Sequence, residues 1–126
     1  LHAIETDQPK LPVAVHSPGH VAATDEQAQE EYLDPFVEYM NRLGRERGWA
    51  PMTRDRALEQ LGPGGAAYVG SPETVARKIA DTARLLGLSR FQLKYSMGHL
   101  PHEQRLECIR LYAEQVAPRV RELLAS

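Results

Sequence analysis

Residues 66–96 read AAYVGSPETVARKIADTARLLGLSRFQLKYS, and the fold is decided there. The central part has the punctuation of a single helix. Ser71 stands where an N-cap belongs, Pro72 occupies the first helical position and Glu73 suits the positive first turn. Val75, Ala76, Ile79, Ala83 and Leu86 recur at helical spacing as one apolar stripe, and Gly87 is the stop. On either side the period changes. AAYVG is a brief apolar run with β character, and RFQLKYS alternates Phe91, Leu93 and Tyr95 against Gln92 and Lys94, which reads as a strand. Strand, helix, strand in so short a span is a βαβ unit, with parallel strands and a right-handed crossover.

The same alternation extends upstream. In LPVAVHSPGHVA, Val13 and Val15 mark a short buried strand that Ser17-Pro18-Gly19 should stop as a turn. Thr24 with Gln27 is a capping-box pattern. Ala28, Tyr32, Phe36, Met40 and Leu43 then carry an apolar stripe towards a stop at Gly48. Pro35 falls inside that stripe and predicts a kink or a division of the helix. A glycine- and proline-rich connection follows, with room for a short helix begun by Thr53. Downstream, a last helix starts at Pro101 or His102. Leu106, Ile109, Tyr112, Val116 and Val120 form its stripe, and Pro118 should bend it. The expected strands are 12–16, 66–69 and 91–95, parallel and adjacent in that order.

Residues 1–10 are polar and read as a tail or linker, leaving 11–126 as a βαβαβα portion. The class is α/β, either a doubly wound sheet or part of a (β/α)8 barrel. Length separates the two. A typical barrel of roughly 250 residues spends about 31 on each of its eight units. A chain of 126 residues holds three, and three parallel strands cannot close a barrel. The sequence reads as a piece of one.

Composition narrows the function. The chain is 42% hydrophobic and 25% charged with net charge −2, an ordinary globular balance. No basic face with interleaved aromatics points to nucleic acid, and no apolar run approaches the roughly 20 residues of a membrane helix. Cys108 is the only cysteine, so the chain has no disulfide of its own, which fits a cytoplasmic location. Inside a predicted helix without a pKa-lowering neighbour, Cys108 reads as a packed thiol and not a nucleophile. The opening LHAIETDQPK has no signal-peptide pattern.

In parallel α/β proteins, sites gather at the carboxyl ends of strands. Three such ends are expected, at residues 16–20, 68–71 and 96–99. Their glycines would let a ligand approach the backbone, or serve as turn residues and nothing more. His16, His20, His99 and His102 do not have the one-turn helical spacing of a zinc pair, so no metal is expected. Ser71 heads a helix, where an anion can bind. Pro72 and Glu73 favour plain capping instead. No Ser-His-Asp or Cys-His arrangement can be assembled.

The stretch YVGSPETVARKIADTARLLGLSRFQLKYSMGHLPHEQRLECIRLYAEQVAPRVRELL resembles the C-terminal end of luciferase-like flavin-dependent oxidoreductases. In that family a Gly-Ser-Pro-Glu helix start, an LGLSRF-type strand start and a GxLPHE corner precede the final helix. PVAVHSPGHVAATDEQAQEE and RLGRERGWAPMTR are similar to the preceding unit, so the resemblance covers residues 11 to 124. It implies a (β/α)8 barrel, often dimeric, that binds FMN or a deazaflavin. This chain would supply its sixth, seventh and eighth βα units to a monooxygenase acting on a small-molecule substrate. The pocket residues implied are His16, Ser17, Ser96, Met97, Gly98 and His99. Because earlier strands carry much of the flavin grip, the chain alone is expected to hold no cofactor and to be inactive. Its open edges, and an uncovered interior face carrying Val13, Val15 and Leu93, call for a homo-oligomer or the missing N-terminal part of the barrel. The alternative is a non-catalytic, self-associating α/β fragment or interaction domain without cofactor.

Overall fold

Each helix begins and ends on chemistry visible in its terminal residues. The computed structural model describes residues 9, 11–96 and 98–125, so the expected tail at 1–10, apart from Pro9, and Met97 lie outside the described residues. Helix α1 (Asp25–Arg47) starts where the Thr24 side chain accepts from the Gln27 amide at 3.1 Å, and ends at Gly48 in the left-handed conformation. The Gln27 side chain donates to Glu31 instead of reaching back to the cap, so half of the capping box is realised. Helix α2 (Arg54–Gln60) is capped by Thr53. Helix α3 (Pro72–Leu86) has the expected Ser71 cap, Pro72 start and left-handed Gly87 stop.

Pro35 neither divides α1 nor ends it; the helix runs through as one segment of 23 residues. Proline removes one backbone bond from the turn before it. Around that turn Tyr32, Leu33 and Phe36 are buried, with the Tyr32 and Phe36 rings stacked at 5.1 Å, and this packing holds the helix together. Pro118 acts differently. Helix α4 (His102–Leu111) passes through a π-helical turn (Tyr112–Val116) into α5 (Ala117–Ala125), with the Ala117 amide donating to the Tyr112 carbonyl. The wider turn comes just before the residue that has no amide hydrogen to continue an α-helical ladder.

The strands are β1 (Ala14–Val21), β2 (Tyr68–Gly70) and β3 (Arg90–Lys94), all parallel. Two expectations fail here. β1 does not stop at Ser17-Pro18-Gly19 but runs through to Val21, and the sheet order is β2-β1-β3 instead of sequential. One feature explains both. The first half of β1, Ala14 to Pro18, pairs with β3; the second half, Gly19 to Val21, pairs with β2. Pro18 stands at the change of partner, where a missing ladder donor does least harm. Gly19 is a strand residue because a Cβ there would run into the Tyr68 carbonyl oxygen on one side and Leu93 on the other. Pro-Gly marks close strand packing here, not a turn.

Two buried clusters flank this sheet. Ala22, Ala28, Tyr32, Leu33, Phe36, Ala57, Ala67 and Val69 pack between α1, α2 and β2. Val21, Tyr68, Val75, Ala76, Ile79, Cys108, Leu111 and Val116 pack beneath α3 and α4, with Phe91 and Leu93 against them. The carboxyl half of β1 is therefore covered on both faces. Its amino half, beside β3, is covered on one. The uncovered face does not carry Val13, Val15 and Leu93, as expected. Register sets Ala14, His16 and Pro18 beside Arg90, Gln92 and Lys94, and alternation turns these six to the other face, where Ala14, His16, Arg90 and Gln92 are exposed while Pro18 and Lys94 are half-buried, Lys94 over the Tyr39 ring of α1. In α4 the buried residues are Cys108 and Leu111, while the predicted core positions Leu106 and Ile109 are exposed.

Candidate functional site

The true carboxyl ends of the strands are His20–Ala22, Gly70–Ser71 and the corner after Lys94. His16 and Ser17 lie lower, level with Gln92 and Leu93, because β1 is longer than its sequence suggested. The structure therefore does not place them with Ser96, Gly98 and His99, which follow the end of β3. His16 is exposed on the open sheet face and Ser17 is half-buried. Ser96 is exposed, and Met97 is among the residues not described.

At the β3–α4 corner, Gly98 adopts φ +70°, and a Cβ would stand 2.5 Å from the Pro35 carbonyl oxygen. The Arg105 guanidinium donates to the Gly98 carbonyl at 2.9 Å. Among the described residues the buried Arg105 Nε has no hydrogen-bond partner. His99 is exposed, with its Nε2 3.6 Å from Glu38 of α1. The glycine of this corner thus makes room for a helix of the same chain.

The end of β2 behaves in the same way. Ser71 Oγ accepts from the Thr74 amide, and the Ser71 amide donates to Asp25 Oδ1 at 2.7 Å. A Cβ on Gly70 would meet that carboxylate oxygen at 2.8 Å. An anion already sits at the amino terminus of α3, and it is the side chain of Asp25. The amide bond from Ser71 holds the Asp25 carboxyl below its usual range, against the opposing effect of burial.

At the end of β1, His20 is the most deeply buried polar residue, 1% exposed, with Nε2 2.8 Å from Glu31 Oε1. Its Nδ1 has no hydrogen-bond partner among the described residues. Next to it the Val21 amide donates to Cys108 Sγ at 3.3 Å, and burial pushes the Cys108 thiol above its ordinary value. Cys108 is therefore a packed acceptor, as expected of a thiol with no activating neighbour. Among the described residues, no group of three His, Cys, Asp or Glu side chains is placed to hold a metal ion. No helix there is long and apolar enough to cross a membrane.

The flavin implied by the sequence resemblance can be tested against this geometry. The three glycines expected to admit a ligand to the backbone are filled from within: Gly19 by β2 and β3, Gly70 by Asp25, and Gly98 by Pro35. The described residues do not form a flavin cradle at these strand ends. Sequence reasoning missed His20–Glu31 and Asp25–Ser71. Nothing local to Asp25 signals a partner 46 residues away.

No family model matches the chain, and no curated protein matches it by sequence. Solved structures do match by shape. The apo form of MsnO8 aligns with a TM-score of 0.60 at 21% identity, covering 87% of this chain and 36% of its own. The monooxygenase RslO1 from Streptomyces bottropensis aligns with a TM-score of 0.63 at 20% identity, covering 88% and 32%. The oxygenating constituent of the 3,6-diketocamphane monooxygenase of Pseudomonas putida, a type II Baeyer-Villiger enzyme in complex with FMN, aligns with a TM-score of 0.59 at 18% identity, covering 85% and 33%. The chain spans about a third of the length of these proteins. It has an α/β fold of three parallel strands with helices, consistent with part of a TIM-type barrel.

Proposed function

We propose that this chain is the C-terminal portion of a luciferase-like, flavin-dependent monooxygenase, and that it supplies barrel wall and no complete cofactor site. One observation carries the reading. The amino half of the sheet is covered by helices on one face, and the other presents His16, Arg90 and Gln92 to the outside. A sheet face that is polar while its reverse is packed suits the lining of a barrel pocket better than a surface meant for the core. The shared fold with three larger proteins, two of them named monooxygenases, supports this. FMN, bound by one of those neighbours, is the cofactor class of the whole protein, and a small-molecule substrate would enter with it. His16 is the pocket residue best placed on that face. Ser96 and His99 belong to the rim.

The test compares the chain alone with the full product of its gene, each mixed with FMN and passed through gel filtration. Flavin absorbance should leave with the full product only, which should also consume oxygen when reduced FMN is supplied. Retention of flavin by the chain alone would refute the incomplete site. A full product that neither binds flavin nor consumes oxygen would refute the family reading.

A further inference from the structure

The two buried cores divide the chain unevenly. Every residue of the first, from Ala22 to Val69, comes from one continuous stretch, and so do the partly buried side chains packed on it. The second draws on Val21 before that stretch and on residues 75 to 123 after it; among the described residues Tyr68 is its one member from inside. The ends of the stretch meet, since the Ala22 amide donates to the Gly70 carbonyl at 3.2 Å. A segment with a core of its own and adjoining ends is built as an insertion. Strand pairing agrees. β1 and β3 pair from Ala14 to Pro18, whereas β2 starts beside Gly19, where β3 has already ended. Tyr68 and Val69, neighbours in β2, point into one core each, so α3 and α4 lie on one face of the sheet and α1 on the other.

In a closed barrel, adjacent strands pair along their length and the helices form an outer ring. β1 and β3, with α3, α4 and α5, meet that description; β2 and α1 do not. We infer that the chain supplies two consecutive barrel strands, β1 and β3, and that residues 22–70 are an insertion roofing the pocket at their carboxyl ends. The expected three units thus become two. Helix α1 seats the roof. Its Tyr32, Leu33 and Phe36 fill the core of the insertion, while Glu31, Pro35, Glu38 and Tyr39, spaced along one side of the helix, meet the strand ends. Glu31 bonds to His20, Pro35 abuts Gly98, Glu38 stands 3.6 Å from His99, and the Tyr39 ring lies against Lys94. Three of these four contacts involve a charged or titratable group, so the seam can part without opening either core. Below it, His16 and Gln92 are exposed on the same face, and a small-molecule substrate would lie between them and α1. The inference deepens the barrel reading and rests on it.

Cysteine chemistry on the full product of the gene tests both parts. Ala14 and Arg90 are exposed register partners, and paired strands stand about 4.8 Å apart, within disulfide range. Ala14→Cys/Arg90→Cys should therefore form a disulfide on mild oxidation, located by peptide mapping. With β2 as a barrel strand between them, the two positions would be about 10 Å apart and no bond could form. For the roof, Gln92→Cys is labelled with a maleimide. Replacing residues 24–66 with eight Gly and Ser residues, which keeps Tyr68 in its core, should speed labelling about tenfold by opening the site. Glu38→Ala/Tyr39→Ala removes two of the four seam contacts, leaves the fully buried residues of both cores in place, and should speed it several-fold. Because the excision could expose the thiol simply by unfolding the protein, the seam variant, shown folded by circular dichroism, decides. Unchanged labelling there would overturn the roof, and a missing disulfide would overturn the two-strand assignment. Flavin retention by the unmodified full product reports on the barrel reading separately, so either can fail without the other.

Discussion

At the scale of single residues, Asp25 links two helix starts through the Ser71 amide, and its chemistry makes a pH prediction. Its carboxyl is held below the ordinary value of 3.8, chiefly by that hydrogen bond. A depressed carboxyl contributes stability that is fully present above the unfolded value and is lost as pH falls through the folded one. Urea unfolding of wild type should therefore lose stability below about pH 4 more steeply than Asp25→Asn does, while the two run parallel near neutrality. Identical acid limbs would show that Asp25 is not bonded to α3. Gly98 and Gly48 offer a matched comparison. Both have φ +70°, but a Cβ at Gly48 meets nothing within 4 Å, whereas at Gly98 it meets Pro35. Gly48→Ala should cost about 1 kcal/mol, the strain of a left-handed residue. Gly98→Ala should cost about 2–3 kcal/mol through strain and collision together. Equal losses in thermal denaturation would mean that the corner does not press on α1.

At the scale of elements, β1 is the strand on which the others depend. It exchanges β3 for β2 between Pro18 and Gly19, and its carboxyl half is packed on both faces. Gly19→Ala should destabilise the chain by about 3 kcal/mol or more, because neither the Tyr68 backbone nor the neighbouring strand can yield cheaply. An unchanged unfolding midpoint would contradict the close approach. The connection from α1 to β2 is long but anchored. Asn41 accepts from the Met52 amide at 2.6 Å and donates to the Met52 carbonyl at 3.2 Å, and Lys78 Nζ donates to the Gly62 and Ala67 carbonyls. Lys78 performs this work half-buried over the Tyr68 ring, and burial lowers its pKa. Replacing Lys78 with Met keeps the stem and removes three polar contacts, so proteolysis within residues 61–67 should accelerate several-fold by the local opening it allows.

At the scale of the whole molecule, packing is concentrated where β1, β2, α1 and α3 meet and thins towards β3 and the outer side of α4. Leu106 and Ile109 are 52% and 41% exposed, and β3 has one free edge. Native-state hydrogen exchange should therefore protect the amides of Val21 and Ala22 most, the first bonded to Cys108 and the second to Gly70. The amides of β3 that face the free edge should exchange orders of magnitude faster. Uniform protection across all three strands would mean that something covers β3 in solution.

By itself the sequence determined what local chemistry controls. Ser71-Pro72-Glu73 and Gly87 bound α3, Thr24 and Gly48 bound α1, and the alternation of Phe91 and Leu93 with Gln92 and Lys94 marks β3 and its two faces. Caps, stops and periodicity act within a turn or two of the chain, so they are legible there. Parallel strands followed from the βαβ order for the same reason. The tertiary structure alone decided which strand stands in the middle, that Pro18-Gly19 belongs inside β1, and which sheet face stays open. It also decided what fills the glycine positions at the strand ends. Each of these depends on contacts between residues tens of positions apart: Gly19 with Tyr68 and Leu93, Gly98 with Pro35, and Asp25 with Ser71. A glycine kept for a turn, for a ligand or for a neighbouring backbone looks the same in sequence, and only the position of that neighbour tells them apart.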